Sequence, residues 1–228
     1  RNAEFAELGL ETDDEWIVQR TGIRERHIAA PHETNRTMAS AASRVAMERA
    51  GVSAGELDLI VLGTASPDRL LPSTAVDVQA ELGATRAAAF DVMAACSSFL
   101  YGLIVAEGLM HTGSAETSLV IGTEKLTTIV DWKDRSTCVL FGDGSGAAVL
   151  KRSDGTKGIL STFMRTDGRL AELLYRPSGG AAHPFDATVL QDRSFYVRME
   201  GREVFKHAVR SMSEAADRAL DGAKLTGA

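Results

Sequence analysis

Phe90-Asp91-Val92-Met93-Ala94-Ala95-Cys96-Ser97-Ser98-Phe99 sets a cysteine where an apolar strand, Ala87 to Val92, gives way to a helix, Ser97 to His111. Small residues before the cysteine allow a sharp turn. The free N–H groups at a helix start, together with the helix dipole, favour negative charge there. Such a setting favours the thiolate, which is the nucleophilic form of the side chain. The same N–H groups are placed to stabilise an oxyanion. From position alone two readings stand side by side: Cys96 as a nucleophile, and Cys96 as a small buried hydrophobe.

Outward from this junction, strands and helices alternate. Upstream, Thr12-Asp13-Asp14-Glu15 reads as a capping box with Thr12 at the N-cap. The helix it opens runs to about Arg20 or Thr21, and Gly22 suits the left-handed position that follows. A second helix fits Thr37 to Ala50, with Met38, Ala42, Val45 and Ala46 on one face and Gly51 after it. Leu57 to Gly63 reads as a strand buried on both faces, and Thr74 to Leu82 as a helix. Downstream, Gly113 closes the helix that follows the cysteine, and Ser118 to Gly122 is a strand. Cys138 to Phe141 and Ala147 to Lys151 read as two further strands around a glycine-rich turn. This alternation predicts an α/β sheet with covered faces.

From Gly158 the pattern changes. Ile159 to Phe163 and Ser194 to Met199 suggest strands, joined by a Gly-, Pro- and Ala-rich loop between Pro177 and Pro184. Arg202 to Leu220 is a helix with Val204, Phe205, Ala208, Met212, Ala215 and Ala219 near one face. The expected division is residues 1–157, the half carrying the cysteine, and 158–228, the connecting strands and first helix of an incomplete second half. The sequence stops soon after a helix with no further strand, so it reads as a fragment.

With 44% hydrophobic and 25% charged residues, the 228-residue chain has an ordinary globular composition. No apolar run is long enough to span a bilayer, and no membrane role is expected. A net charge of −6 argues against nucleic acid as the main partner. The two cysteines, Cys96 and Cys138, suggest no disulfide framework, and a reducing cytoplasm is the natural setting. Cys138, inside an apolar run, reads as core. The sequon Asn35-Arg36-Thr37 is then incidental, and no four ligands stand at metal spacing. The Phe141-Gly142-Asp143-Gly144-Ser145-Gly146 segment lacks the wider glycine spacing of a dinucleotide fingerprint and reads as tight backbone packing.

Several segments together resemble one family. Glu15-Trp16-Ile17-Val18-Gln19-Arg20-Thr21-Gly22-Ile23-Arg24-Glu25-Arg26 looks like the N-terminal signature of β-ketoacyl-ACP synthase III. Asp91 to Phe99 resembles that family's nucleophile segment. Asp134-Arg135-Ser136, Phe141 to Ala148, and Gly201-Arg202-Glu203-Val204-Phe205-Lys206 resemble later signatures in the right order. The resemblance runs from roughly Glu11 to Leu220.

The resemblance implies a thiolase-like fold of two βαβ-rich halves, a homodimer, and Cys96 as the acyl-carrying nucleophile. The implied reaction takes an acyl group, usually acetyl, from acyl-CoA and condenses it with malonyl-ACP through decarboxylation, giving 3-oxoacyl-ACP. Acyl-CoA and the acyl carrier protein are substrates, and no cofactor or metal is implied. Thr12, Trp16, Arg20, Arg135, Gly201 and Phe205 are the implied coenzyme A residues, with Trp16 and Arg135 on either side of the adenine. An indole and a guanidinium suit a flat base, although such a pair taken alone would read as a packing residue and a surface ion pair. Leu71, Leu126 and Phe141 are the implied acyl-pocket residues, Leu71 reaching across the dimer interface. Leucine there, where phenylalanine is frequent, would leave a roomier pocket. The five histidines match no catalytic motif. The family's catalytic histidine and asparagine fall downstream of the last helix, so condensation by these 228 residues alone is not expected. Rival readings are a priming ketosynthase of polyketide assembly, a 3-hydroxy-3-methylglutaryl-CoA synthase, and a non-catalytic thiolase-fold binding subunit.

Overall fold

The computed structural model of the chain describes residues 1–226 other than 154, 156 and 157. In chain order its elements are α1 (Glu4–Glu7), α2 (Asp14–Thr21), α3 (Asn35–Ala50), β1 (Leu59–Gly63), α4 (Thr74–Leu82), β2 (Ala88–Val92), α5 (Ser98–His111), β3 (Thr117–Lys125), α6 (Arg135–Cys138), β4 (Asp143–Lys151), β5 (Leu174–Tyr175), β6 (Arg198–Met199) and α7 (Gly201–Gly222). They gather into two units. One holds Arg1–Arg26, Thr127–Phe141 and Ile159–Ala228; the other holds His27–Leu126 and Gly142–Gly158. The division expected at residue 157 falls on a position outside the described residues.

The second unit is built on a four-stranded sheet in the order β2-β1-β3-β4. β1 runs parallel to both β2 and β3, while β4 is antiparallel to β3. Every residue of β1 is buried, as a central strand covered on both faces requires. Alternation then sorts its side chains. Ile60 and Leu62, with Leu119 and Ile121 of β3, pack with Ala39 and Met47 of α3 and with Ala75 and Val78 of α4. Leu59 and Val61, with Val120, pack with Ala106 and Met110 of α5 on the other face. Truncating a fully buried member such as Leu119 to alanine would cost about 2–5 kcal/mol.

Local chemistry sets the helix ends. Thr34 caps α3, which begins two residues before the expected Thr37: the Thr37 N–H donates to Thr34 Oγ1 (3.3 Å) and the Thr34 N–H donates to Thr37 Oγ1 (2.9 Å). Asp68 accepts from the next two free amides, those of Asn35 and Arg36, at 2.9 Å each. The face of α3 turned to the sheet is Ala39, Ser43 and Met47, whereas Val45, expected inside, is exposed. Apolar periodicity misplaced this face because Ser43 is buried with its hydroxyl satisfied by the Ala39 carbonyl at 2.7 Å.

In the other unit, Phe5, Ile17, Val130, Cys138 and Val139 form a small core. α2 is capped by Asp13, which accepts from the Trp16 N–H at 2.7 Å, rather than by Thr12. Glu15, expected to turn back to the cap, instead accepts from Gln19 one turn on, at 2.9 Å. The Arg26 guanidinium donates to the Val139 carbonyl and to the Asn2 side chain, tying chain segments far apart in sequence. Ser161 Oγ donates to the Ala219 carbonyl of α7 at 2.7 Å.

Three expected strands are corrected. Cys138 to Phe141 is not a strand: Asp134 caps the short α6 through the Ser136 N–H, and Cys138 ends that helix. A four-residue apolar run carries no period that separates the two cases. The supposed glycine-rich turn at 142–146 is largely strand, because β4 begins at Asp143 and pairs with β3 along its whole length. Ile159 to Phe163 forms no strand, and Ser194 to Met199 keeps only the two-residue β6, paired with β5.

Candidate active site

Cys96 stands at the end of β2, where the parallel strands finish. β2 stops at Val92, a single 3₁₀ turn covers Ala95–Ser97, and α5 begins at Ser98. The expected helix start at Ser97 is therefore one residue early. Ala95 has φ +46°, a left-handed conformation that is strained for a residue with a β-carbon. Ser97 N–H donates to the Ala94 carbonyl at 3.1 Å, and Ala94 N–H donates to Ser98 Oγ at 2.8 Å. The thiol of Cys96 is exposed, whereas that of Cys138 is buried. Burial, and next the neighbouring Asp134 carboxylate, push the Cys138 thiol up to about 11.

A row of glycines lets this turn sit against the sheet. Val92, Gly63, Gly122 and Gly146 lie opposite one another across β2, β1, β3 and β4. A β-carbon on Gly63 would lie 2.5 Å from Ser98 Cβ and 2.9 Å from the Ser98 carbonyl carbon. One on Gly122 would press on Phe99 at 3.4 Å. The first residues of α5 thus pack directly on backbone.

Carboxylates and amides the sequence did not single out hold the surroundings. Asp91, beside the turn, accepts from Thr74 N–H and Ala75 N–H at 2.8 Å each and so caps α4. Burial raises its pKa above the usual carboxylate range. Glu124, near the end of β3, accepts from Ala65 N–H (2.7 Å), Ser66 Oγ (2.5 Å) and Thr64 Oγ1 (3.3 Å). Burial raises its pKa too. Asn35, 1% exposed, donates to the Ser66 carbonyl and accepts from Thr123 Oγ1 at 3.1 Å, so the sequon's amide lies inside the protein. These contacts fix the first part of the loop that carries Leu71, itself 82% exposed.

Leu71 and the half-buried Leu126 belong to the unit of Cys96. Phe141 belongs to the other unit, against its small core. Among the implied coenzyme A residues, the structure brings Trp16, Arg20 and Arg135 together. The guanidinium carbons lie 4.8 Å (Arg20) and 4.5 Å (Arg135) from the indole centroid. Arg135 also donates to the Glu11 carbonyl. Thr12 precedes α2 with its hydroxyl buried. Gly201 opens α7, and Phe205 stands one turn on, 72% exposed. An open groove of about 470 Å³ between α3 and β4, lined by His32, Glu33, Met38, Val45 and Ser145 among others, contains none of the expected site residues. No group of three or more potential metal ligands occurs among the described residues. No helix among them is long and apolar enough to cross a membrane.

The profile of the 3-oxoacyl-(acyl-carrier-protein (ACP)) synthase III family matches residues 90–168, beginning in β2 just before the cysteine turn. The β-ketoacyl-(acyl-carrier-protein) synthase III of Roseiflexus castenholzii is 47% identical over 225 residues, covering 99% of this chain and 68% of that protein. The chain belongs to the β-ketoacyl-ACP synthase III family. The synthase III of Rhodospirillum centenum is 51% identical over 215 residues, 92% of this chain and 64% of that protein. The chain thus spans about two thirds of the length of the curated synthase III relatives it matches. The crystal structure of the Aquifex aeolicus synthase III superposes with a TM-score of 0.89 at 46% identity, covering 99% of this chain and 68% of that one. A priming β-ketosynthase from a polyketide pathway superposes with a TM-score of 0.86 at 37% identity, covering 99% and 66%. The thiolase-like α/β fold of the synthase III family is therefore the fold of this chain.

Proposed function

We propose that the protein is a condensing acyltransferase that starts type II fatty-acid synthesis, with Cys96 as the acyl carrier. The thiolate attacks the thioester carbonyl of acetyl-CoA. The resulting oxyanion collapses, the bond to the coenzyme A sulfur breaks, and coenzyme A leaves as its thiol after taking a proton. Malonyl-ACP then loses carbon dioxide, and its carbanion attacks the acyl-cysteine to release 3-oxoacyl-ACP and restore the thiolate. No metal or organic cofactor enters these steps. Coenzyme A is held by Trp16, Arg20 and Arg135, with Thr12, Gly201 and Phe205 beside it, and Leu71, Leu126 and Phe141 bound the acyl chain. The protein works in the cytoplasm as a homodimer, and the 82% exposure of Leu71 supports its reaching toward a partner subunit. The division at residue 157 separates a nucleophile-bearing half from the start of a second one.

The observation that carries this reading is an exposed thiol on a strained strand-to-helix turn, at the positive end of a 14-residue helix. Incubation with acetyl-CoA followed by peptide mass spectrometry should find an acetyl group on Cys96, none on Cys138, and none in Cys96→Ser. No adduct on Cys96 would overturn it and favour a non-catalytic binding subunit, and an unchanged adduct in Cys96→Ser would refute the assignment of Cys96 as the acyl carrier. The likeness to the priming ketosynthase favours a second reading, priming of polyketide assembly. A comparison of how tightly fatty-acid and polyketide carrier proteins bind the acetylated chain separates the two.

A further inference from the structure

We infer that Ser98 is a positioning residue for Cys96: its buried hydroxyl holds the turn that aims the sulfur. The inference rests on the reading of Cys96 as nucleophile. Ala95 is held in a left-handed conformation that an alanine does not favour, so something must keep the turn closed. Two hydrogen bonds meet at Ala94 and bracket Ala95 and Cys96. The Ala94 carbonyl accepts from Ser97 N–H, and the Ala94 N–H donates to Ser98 Oγ.

A serine in the first turn of a helix ordinarily bonds the backbone of its own helix or water. This one reaches back four residues, outside the helix, to an amide of the turn. Ser98 is 3% exposed, and the bare backbone of Gly63 lies directly behind its β-carbon. The sheet fixes Ser98, the hydroxyl fixes Ala94, and Cys96 is suspended between two anchored residues. Alanine at 98 keeps the helix and the packing but frees the Ala94 amide. Cys96 then samples orientations in which the helix-start amides no longer face the developing oxyanion.

The test uses the full chain and its Ser98→Ala variant, with Ser98→Gly if the first loses its native thermal transition. Hydrogen exchange of the Ala94 amide is read by NMR, and acetylation of Cys96 is followed against acetyl-CoA concentration. In Ser98→Ala the Ala94 amide should exchange about tenfold faster or more. The acetylation rate at saturation should fall about tenfold, with the half-saturating acetyl-CoA concentration held within about twofold. An unchanged Ala94 exchange rate would refute the inference. So would an unchanged saturating rate, or a loss confined to half-saturation. If the parent chain takes no acetyl group, the nucleophile reading falls, and the exchange measurement alone then decides whether Ser98 holds the turn.

Discussion

Glu124 gathers Thr64, Ala65 and Ser66 around one half-buried carboxylate, and burial raises its pKa despite those donors. A carboxyl group whose pKa is raised on folding binds its proton more tightly in the folded than in the unfolded chain. The native state is therefore favoured most on the acid side, and this contribution is lost as pH rises through the raised value. Glutamine at 124 does not titrate. The stability of the parent chain relative to Glu124→Gln should accordingly be larger at about pH 4.5 than at about pH 8, in urea unfolding at both. A gap that widens toward pH 8 would contradict the assignment. Cys96 could be picked out in the sequence because its neighbours on both sides carry strand and helix signals. Glu124 could not, because an acid near the end of an apolar strand reads as a solvated terminus. Only folding brings the 64–66 loop over it.

Between β1 and α5 the contact depends on what is missing from a side chain. Gly63→Ala would drive a β-carbon to 2.5 Å from Ser98 Cβ and to 2.9 Å from Ser98 backbone, so the start of α5 must shift. We expect a loss of about 1–3 kcal/mol in urea unfolding, with slower acetylation of Cys96. Gly146→Ala is the matched control. It stands in the same row with open space around it, and should stay within about 0.5 kcal/mol with normal acetylation. Equal effects from both would dismiss the glycine row as the seat of the turn. Most helices and the four strands of the main sheet were legible from period, whereas the apolar run Cys138 to Phe141 was not; α4, from Thr74 to Leu82, falls where expected. The glycines of 142–146 were misread as a turn because glycine signals a break locally, whereas the ladder with β3 that overrides it comes from residues 117–125.

Across the whole molecule, the two units divide the proposed labour: Trp16, Arg20 and Arg135 lie in one, and Cys96 in the other. Trp16→Ala should raise the half-saturating acetyl-CoA concentration about tenfold, the order expected for losing one stacked base, and leave the saturating acetylation rate within about twofold. A fall in the saturating rate with unchanged half-saturation would place Trp16 in the chemistry instead of in binding. The sequence alone determined the α/β class, the strand–cysteine–helix junction and the family, because those rest on neighbours within a few turns and on motif order along the chain. Only the tertiary structure decided which glycines lie in one row, that Ser98 grips the Ala94 amide, and that Glu124 and Asn35 hold the loop before Leu71. Most of these contacts join segments far apart along the chain, 31 positions from Asn35 to Ser66 and 35 from Gly63 to Ser98. Even the short reach from Ser98 to Ala94 depends on the sheet behind it. No local pattern of residue types encodes which distant partner the chain will bring to a given backbone position.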